Sequence, residues 1–200
     1  MNRLIPSHQI LINDIHHCRQ CHDTLPLGAN PVVQLHPDAK LLIIGQAPGT
    51  RVHASGIPWD DPSGERLRQW LNSDKETFYD PKKIAIMPMG FCYPGKGRSG
   101  DLPPRTECAP LWHDRVLEQL PNIELTLLIG QYAQKHYIDR HADRPFRTLT
   151  ERVQAWHSFA PDRLPLPHPS PRNRRWFSQQ PWFEQEVVPW LQQRTSSLLR

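Results

Sequence analysis

Cysteine is the residue with the most specific chemistry in this chain, and it occurs four times. One close pair, Cys18 and Cys21, is followed by two distant single residues, Cys92 and Cys108. A zinc ribbon would instead show two close pairs. A fold that gathers these segments would offer four thiolates to one iron–sulfur cluster. The spacing therefore indicates a metal centre.

A zinc site is the alternative interpretation. His16, His17 and His22 flank the close cysteine pair, and histidine nitrogen is a common zinc ligand. The N-terminus has polar breaks inside its apolar part and lacks a small-residue cleavage site, so we expect a cytoplasmic protein. In that reducing compartment, cysteines more often serve as ligands than as disulfides.

Three further motifs contain residues suited to binding or catalysis. The first is GQAPG, which spans Gly45 to Gly49. Glycines on both sides of a proline let the backbone turn sharply and approach a ligand closely. A simple turn from a strand into a loop would use the same residues, so both interpretations stay open.

The second motif joins an aromatic side chain to two carboxylates. Trp59, Asp60 and Asp61 precede a Pro-Ser-Gly segment that begins a helix. The indole could stack on a base, a carboxylate could activate water, and the helix N-terminus favours a phosphate. Alternatively, Asp60 or Asp61 caps the helix while Trp59 lies in the core.

The third motif is HPSPRN, which spans His168 to Asn173. A histidine here could donate a hydrogen bond to a leaving group that gains negative charge. Pro171, Arg172 and Asn173 would form a rigid, basic loop tip. The chain has eleven histidines, so it is the position of His168 after an apolar segment that singles it out.

These motifs need elements that position them. Buried strands are predicted over four apolar segments, residues 40–45, 83–89, 125–130 and 164–168. Helices are predicted over 8–18, 65–72, 110–120, 131–140 and 182–193, the last bent or shortened by Pro189. The alternation predicts an α/β fold, a three-layer α/β/α sandwich with a short, mostly parallel four-stranded sheet. Ligands bind at the carboxyl ends of such strands, where all three motifs lie.

Length and charge indicate the class of protein and of partner. Two hundred residues without a repeat or a dividing linker predict a single domain over residues 1–200. The net charge is +4, and 18 of the 24 basic residues are arginine, which favours bidentate contact with phosphate. Residues 160–180 are especially basic, although a solvated face would show the same composition. No apolar run suits a membrane span, and we expect a monomer.

Taken together, the motifs resemble those of the uracil-DNA glycosylase superfamily from Cys18 to about Asn173. GQAPG is similar to its first motif, and GIPWDDPSGERL to its Gly-x-Pro-Phe segment, with Trp59 in place of the base-stacking Phe. HPSPRN is similar to its last motif, as worded in the single-strand-selective monofunctional branch. The cysteine spacing resembles the iron–sulfur branches, families 4 and 5. The resemblance implies a 4Fe-4S cluster on all four cysteines and a monofunctional DNA glycosylase that removes uracil or another deaminated base.

The resemblance also implies roles for individual residues. Family 5 has its catalytic carboxylate in an Asp-x-Ser-Gly element, which Asp61 matches, so Asp61 would orient water. Family 4 has Glu where this chain has Gln46, and family 1 has Asp where it has Ala47. His168 would contact O2 of the base. The base would be held by Gln46, Ala47, Pro48 and Trp59, and single- or double-stranded DNA by Ser63, Ser170, Pro171, Arg172 and Asn173.

One position departs from the pattern. The iron–sulfur branches usually have an Asn that reads the base edge four residues before the third cysteine, and this chain has Pro88 there. The base would then be read by backbone groups or by Gln46, or would not be uracil. Two other functions stay open beside the zinc protein: a catalytically silent or redox-sensing DNA-binding protein with the same fold, and a hydrolase of free nucleosides.

Overall fold

A computed structural model describes residues 7–98, 100–139 and 146–200. Its centre is a parallel sheet of four strands, and a separate antiparallel pair lies between the second and third of them along the chain. The strands are β1 (Leu41–Ile44), β2 (Ile84–Ile86), β3 (Lys96–Gly97), β4 (Gly100–Asp101), β5 (Leu125–Ile129) and β6 (Arg163–Leu166). The order in the main sheet is β2-β1-β5-β6. In its register, Leu41 pairs with Ile84 on one side and with Leu125 on the other.

Helices occupy both faces of the sheet. They are α1 (Ser7–His16), α2 (Thr50–Ser55), α3 (Pro62–Leu71), α4 (Lys75–Tyr79), α5 (Cys108–Glu118), α6 (Gln131–Tyr137), α7 (Leu149–Gln154), α8 (Arg174–Gln179) and α9 (Val188–Leu198). A π-helical turn, Phe183–Val187, leads directly into α9. None of the helices in the described ranges has the length and apolar character that crossing a membrane requires.

Alternate strand residues face two separate cores, because successive side chains of a strand point to opposite faces. Leu41 and Ile43 of β1 pack in the core that contains α3, α4 and α9. Leu42 and Ile44 pack in the core that contains α1, α5 and α6. The strands are buried on both faces, which explains their unbroken apolar sequence. The predicted three-layer α/β fold with a parallel four-stranded sheet is confirmed.

Several predicted boundaries were wrong. The predicted strand 83–89 ends at Ile86, two residues before Pro88, which has no backbone N–H to donate. The predicted helix 182–193 is instead a π-helical turn followed by α9, which continues to Leu198. Pro189 lies in the first turn of α9, directly after the π-helical turn, and has no N–H to donate to a carbonyl of that turn. The predicted helix 131–140 ends at Tyr137, and Arg140 lies outside the described residues.

Three further helix boundaries differ from the prediction. The predicted helix 65–72 begins at Pro62, because Asp61 already caps it. The predicted helix 110–120 begins at Cys108, and the predicted helix 8–18 ends at His16, before Cys18. Six short elements were not predicted, because each is too brief to show a clear hydrophobic period; they are α2, α4, α7, α8, β3 and β4.

Candidate active site

A crevice opens at the carboxyl ends of β1 and β2. Gln46, Asp61 and His168 contribute an amide, a carboxylate and an imidazole to its lining. Each belongs to a different one of the three sequence motifs. The apolar part of the lining includes Val32, Ala47, Pro48, Val52, Pro58, Trp59, Ile86 and Pro88. The parallel sheet thus brings together residues that are far apart in sequence, at the edge where such sheets bind ligands.

Trp59 forms one wall of the crevice, and two glycines make room for it. Its φ of +58° lies in the left-handed region, which large side chains rarely adopt. A Cβ at Gly45 would lie 2.9 Å from Cζ2 of the indole, and a Cβ at Gly64 would lie 1.8 Å from the Trp59 carbonyl oxygen. The indole and the His168 ring have their centroids 5.6 Å apart. Close packing therefore fixes the indole beside His168.

Asp61 both lines the crevice and caps α3. Its Oδ1 accepts a hydrogen bond from the backbone N–H of Gly64 at 2.8 Å, as an aspartate at a helix N-terminus commonly does. No hydrogen bond from the described residues reaches its Oδ2. The capping interpretation is therefore correct for one oxygen, and the second can hold water. Ser63, in the first turn of α3, is only 7% exposed, and its phosphate contact stays a prediction.

His168 is held as a neutral ring with a defined tautomer. Burial lowers its pKa below the ordinary value of 6.5, and the negative charge of Asp61 only partly opposes this shift. Nδ1 accepts a hydrogen bond from the backbone N–H of Ser170 at 3.2 Å. The ring proton therefore lies on Nε2. Such a ring can donate to a bound group that gains negative charge, without bringing a charge of its own.

The loop after His168 is fixed by its own hydrogen bonds. Ser170 Oγ accepts from the backbone N–H of Arg172 at 3.2 Å, and Asn173 Nδ2 donates to the His168 carbonyl at 2.7 Å. These bonds stabilise a 3-10 turn, Pro171–Asn173, in which Pro171 and Arg172 are exposed. The loop is therefore a firm, basic projection beside the crevice.

The segment between Cys92 and Cys108 folds against two of the motifs. The Gln46 Nε2 donates to the Leu102 carbonyl at 3.3 Å. Arg172 Nη1 lies 2.7 Å from the point that a Cβ on Gly100 would occupy. This segment, which includes the β3–β4 pair, therefore lies beside Gln46 and Arg172.

All four cysteines line a second cavity. Burial is the main cause that raises the pKa of Cys92 to about 11 and the pKa of Cys108 to about 12, and the neighbouring thiols raise both further. The backbone N–H of Phe91 donates to the Cys108 sulfur at 3.3 Å. A thiol that is buried in this way needs a nearby positive charge to lose its proton, and a bound metal would supply that charge.

The four thiols lie around this cavity. Among the described residues, no group of three or more His, Cys, Asp or Glu side chains is placed to hold a metal ion. His16, His17 and His22 are not among the residues that line the cavity.

His113 is a buried residue behind the crevice that the sequence analysis missed. It is 1% exposed, and its Nε2 and Nδ1 lie 3.1 Å from the Pro88 carbonyl oxygen and 2.6 Å from the Tyr137 hydroxyl. A carbonyl only accepts, so Nε2–H donates to Pro88 and Nδ1 accepts from Tyr137. Burial lowers the pKa of His113 to about 4. No local motif marks this residue, and only its spacing within α5 could have suggested burial.

Comparison with known proteins shows which family this chain is similar to. The model of the uracil DNA glycosylase superfamily matches residues 32–192, a range that contains the three crevice motifs but begins after Cys18 and Cys21. Among solved structures, the chain is similar to a Methanosarcina acetivorans protein, solved by NMR in solution and provisionally assigned as a uracil DNA glycosylase. The two are 15% identical, the match covers 81% of this chain and 94% of that chain, and the TM-score is 0.45.

Proposed function

We propose that this chain, which belongs to the uracil DNA glycosylase superfamily, is a monofunctional glycosylase that hydrolyses the N-glycosidic bond of uracil or another deaminated base in DNA. The observation that carries the proposal is the shared crevice of Trp59, Asp61 and His168. Together they offer a stacking surface, a carboxylate oxygen and a neutral N–H donor. Cleavage of a glycosidic bond uses each of these groups.

Binding to DNA would begin at the basic loop beside the crevice. Arg172 is exposed at its tip and can contact phosphate, which makes the affinity depend on salt. Ser63 and Ser170 are the further phosphate contacts that we propose. The target nucleotide must leave the base stack, at a cost of a few kcal/mol. The rigid turn Pro171–Asn173 would offset this cost by filling the space that the base leaves.

Inside the crevice, the base would stack on Trp59. As the bond between sugar and base lengthens, its electron pair moves to the base and positive charge grows on the sugar. His168 Nε2–H and backbone N–H groups of the 46–49 segment would stabilise the base anion. The free oxygen of Asp61 would balance the sugar cation and orient the water that adds to it.

The proposal is for a monofunctional enzyme because a lyase needs an amine that forms a Schiff base with the sugar. None of the described residues that line the crevice is a lysine. Water is therefore the nucleophile that the site supports.

We also propose that the four cysteines hold a 4Fe-4S cluster, since cysteine thiolates are the usual ligands of such clusters. The support is their arrangement around one cavity. The bound cluster would link Cys18 and Cys21, which follow α1, to Cys92 and to Cys108 at the start of α5. We further propose that the protein is monomeric and cytoplasmic and forms one domain over residues 1–200.

An assay for abasic sites tests the activity. Strands that contain uracil, hypoxanthine or a mismatch are incubated with the protein, and the alkali-labile sites are counted. We expect cleavage on at least one deaminated base and none on undamaged strands. Turnover of free nucleosides without DNA would instead support a nucleoside hydrolase.

One observation favours a catalytically silent DNA-binding protein as the second candidate. An Asp61 oxygen is engaged in capping α3, so the carboxylate could be retained for structure alone. That candidate predicts salt-dependent binding to DNA with no abasic product on any strand, which the same assay detects.

A further inference from the structure

Arg68 is a buried cation near the candidate active site that takes no part in the proposed mechanism. It lies in α3, the helix that Asp61 caps, and is only 7% exposed. Side chains of a helix lean toward its N-terminus, so the long Arg68 side chain extends back toward the turn that contains Trp59 and Asp61. None of the ion pairs between the described residues includes Arg68. Its charge is therefore buried without a carboxylate in salt-bridge contact.

Two hydrogen bonds and two aromatic rings hold the guanidinium of Arg68. Nη1 donates to the Tyr79 hydroxyl at 3.3 Å and to the Trp59 carbonyl oxygen at 3.5 Å. Burial raises the pKa of Tyr79 above its ordinary value of 10.0, so the hydroxyl is neutral and accepts as such. The guanidinium carbon lies 5.4 Å from the centre of the Phe78 ring and 5.8 Å from that of Tyr79, distances typical of cation–π contacts.

The Trp59 carbonyl is the contact that explains why an arginine is needed. A buried charge without an opposite charge costs free energy, which hydrogen bonds and aromatic contacts offset only in part. Methionine would fill similar space without that cost, but it has no N–H to donate. The backbone hydrogen bonds between described residues do not reach the Trp59 oxygen. Arg68 therefore supplies the donor that this acceptor needs.

The direction of that carbonyl affects both ends of the turn. It belongs to the peptide group after Trp59, whose φ of +58° is a conformation that large side chains keep only where their surroundings hold them. On one side of this peptide, the indole lies beside the His168 ring, with the centroids 5.6 Å apart. On the other side, Asp61 lines the crevice. A rotation of the peptide would therefore move the indole and the carboxylate together.

We propose that Arg68 is a positioning residue for cleavage of the glycosidic bond. From inside the protein it holds the Trp59 carbonyl, and so it keeps the stacking indole and the Asp61 carboxylate in place in the crevice. The Tyr79 hydroxyl and the Phe78 ring hold the guanidinium in turn. This inference rests on the proposed function and gives a role to a residue that touches no substrate. Such a role matters because a displacement of about 1 Å can reduce a rate by about 100-fold.

The test measures the environment of the indole and the rate of cleavage in the same variants. The protein is labelled with 5-fluorotryptophan, and Trp59→Phe identifies the fluorine resonance of Trp59. We expect Arg68→Met to shift or broaden that resonance. It should also lower the single-turnover rate, on the deaminated base that the wild type cleaves fastest, by about tenfold or more. Affinity for a strand with an abasic site should stay within about twofold, because that strand has no base to stack and is held through its phosphates.

Thr195→Val is the matched control for a loss of stability alone. The Thr195 hydroxyl is buried and donates to the Leu71 carbonyl, in the last residue of α3, at 3.0 Å. We expect Thr195→Val to lower the unfolding temperature and to leave the Trp59 resonance and the cleavage rate as in the wild type. If Arg68→Met behaves in the same way as this control, Arg68 is a packing residue only and the inference is overturned.

Tyr79→Phe keeps the test decisive if Arg68→Met does not fold, because it removes only a hydroxyl that holds the guanidinium. It should shift the same Trp59 resonance and lower the cleavage rate by a smaller factor, and no change in either would overturn the inference. A wild-type protein that cleaves none of the deaminated bases would instead contradict the proposed function. The fluorine resonance would then still decide whether Arg68 holds Trp59, since it needs no substrate.

Discussion

The carboxylate of Asp61 accepts the backbone N–H of Gly64 at 2.8 Å, so one residue both caps α3 and faces the crevice. The two roles need different chemistry. A cap needs only an acceptor oxygen, which Asn supplies about as well as Asp. Orienting water and balancing a sugar cation need the negative charge.

Asp61→Asn and Asp61→Ala should therefore separate the two roles. We expect Asp61→Asn to reduce single-turnover cleavage by about 100-fold or more, in the range of lost acid–base catalysis, with little change in thermal stability. Asp61→Ala should lose as much activity and also about 1 kcal/mol of unfolding free energy. Unchanged cleavage by Asp61→Asn would mean that this residue is a cap and nothing more.

Gly45 and Trp59 offer a prediction about packing. A Cβ on Gly45 would lie 2.9 Å from the indole Cζ2, so Gly45→Ala should displace the ring from its place beside His168. We expect lower kcat/KM with the fold retained. Trp59→Phe should have a milder effect because a smaller ring still stacks on a base.

The double variant checks that explanation. If the indole is what the new methyl group displaces, Gly45→Ala should cost less activity in the Trp59→Phe background than in the wild type. Equal losses in both backgrounds would place the cause elsewhere, for example in the backbone N–H groups of the same turn.

The sequence predicted the sheet well because its strands are buried on both faces and read as unbroken apolar runs. Leu41 to Ile44 is the clearest example, and Leu125 to Ile129 is interrupted only by Thr126. The short β3–β4 pair could not be predicted, since two-residue strands have no period. Its position depends on contacts with residues of other segments, such as the one between Gly100 and Arg172.

Residues of the candidate site could be predicted from the sequence only where they belong to a recognisable motif. Trp59, Asp61 and His168 each belong to a recognisable segment. His113 could not be found, because its partners Pro88 and Tyr137 lie 25 and 24 residues away and meet it only through the fold. The Leu102 carbonyl that orients Gln46 is a backbone atom, which any residue would supply.

His113 predicts a dependence of stability on pH. Burial lowers its pKa from 6.5 to about 4 in the folded protein, so between these values the unfolded chain binds a proton that the native state does not. Stability should therefore fall as the pH decreases from 6.5 to 4, by about 3 kcal/mol from this residue.

His113→Gln should remove most of that dependence, because Gln can still donate to the Pro88 carbonyl and accept from Tyr137 but does not titrate. The measurement is urea unfolding at several pH values across the window. His16→Gln, at an exposed position, should leave the wild-type slope. A variant slope equal to that of the wild type would show that His113 is not the titrating group.

The cluster that we propose for the four cysteines leads to a prediction about metal content. Cys92→Ser should lose iron and sulfide together and lower the unfolding temperature, because the segment up to Cys108 loses its anchor. His22→Gln should retain both, since His22 is not among the residues that line the cavity. Iron, zinc and sulfide analysis after anaerobic purification makes the measurement. Zinc without sulfide in the wild-type protein would contradict the cluster.

The exposed position of Arg172 leads to a prediction about DNA binding. It is exposed at the tip of a turn fixed by Ser170 and Asn173, so it should contact both phosphate and the space that the flipped base leaves. We expect Arg172→Ala to reduce the slope of log affinity against log salt by about one, the share of a single phosphate contact. The loss of affinity should be larger for duplex than for single strands, because only a duplex has a partner base to face the gap.

Arg200→Ala, with the same change in charge at the exposed chain end, should leave the slope as it is. Equal losses on duplex and single strands would leave Arg172 as a phosphate contact without a wedge role.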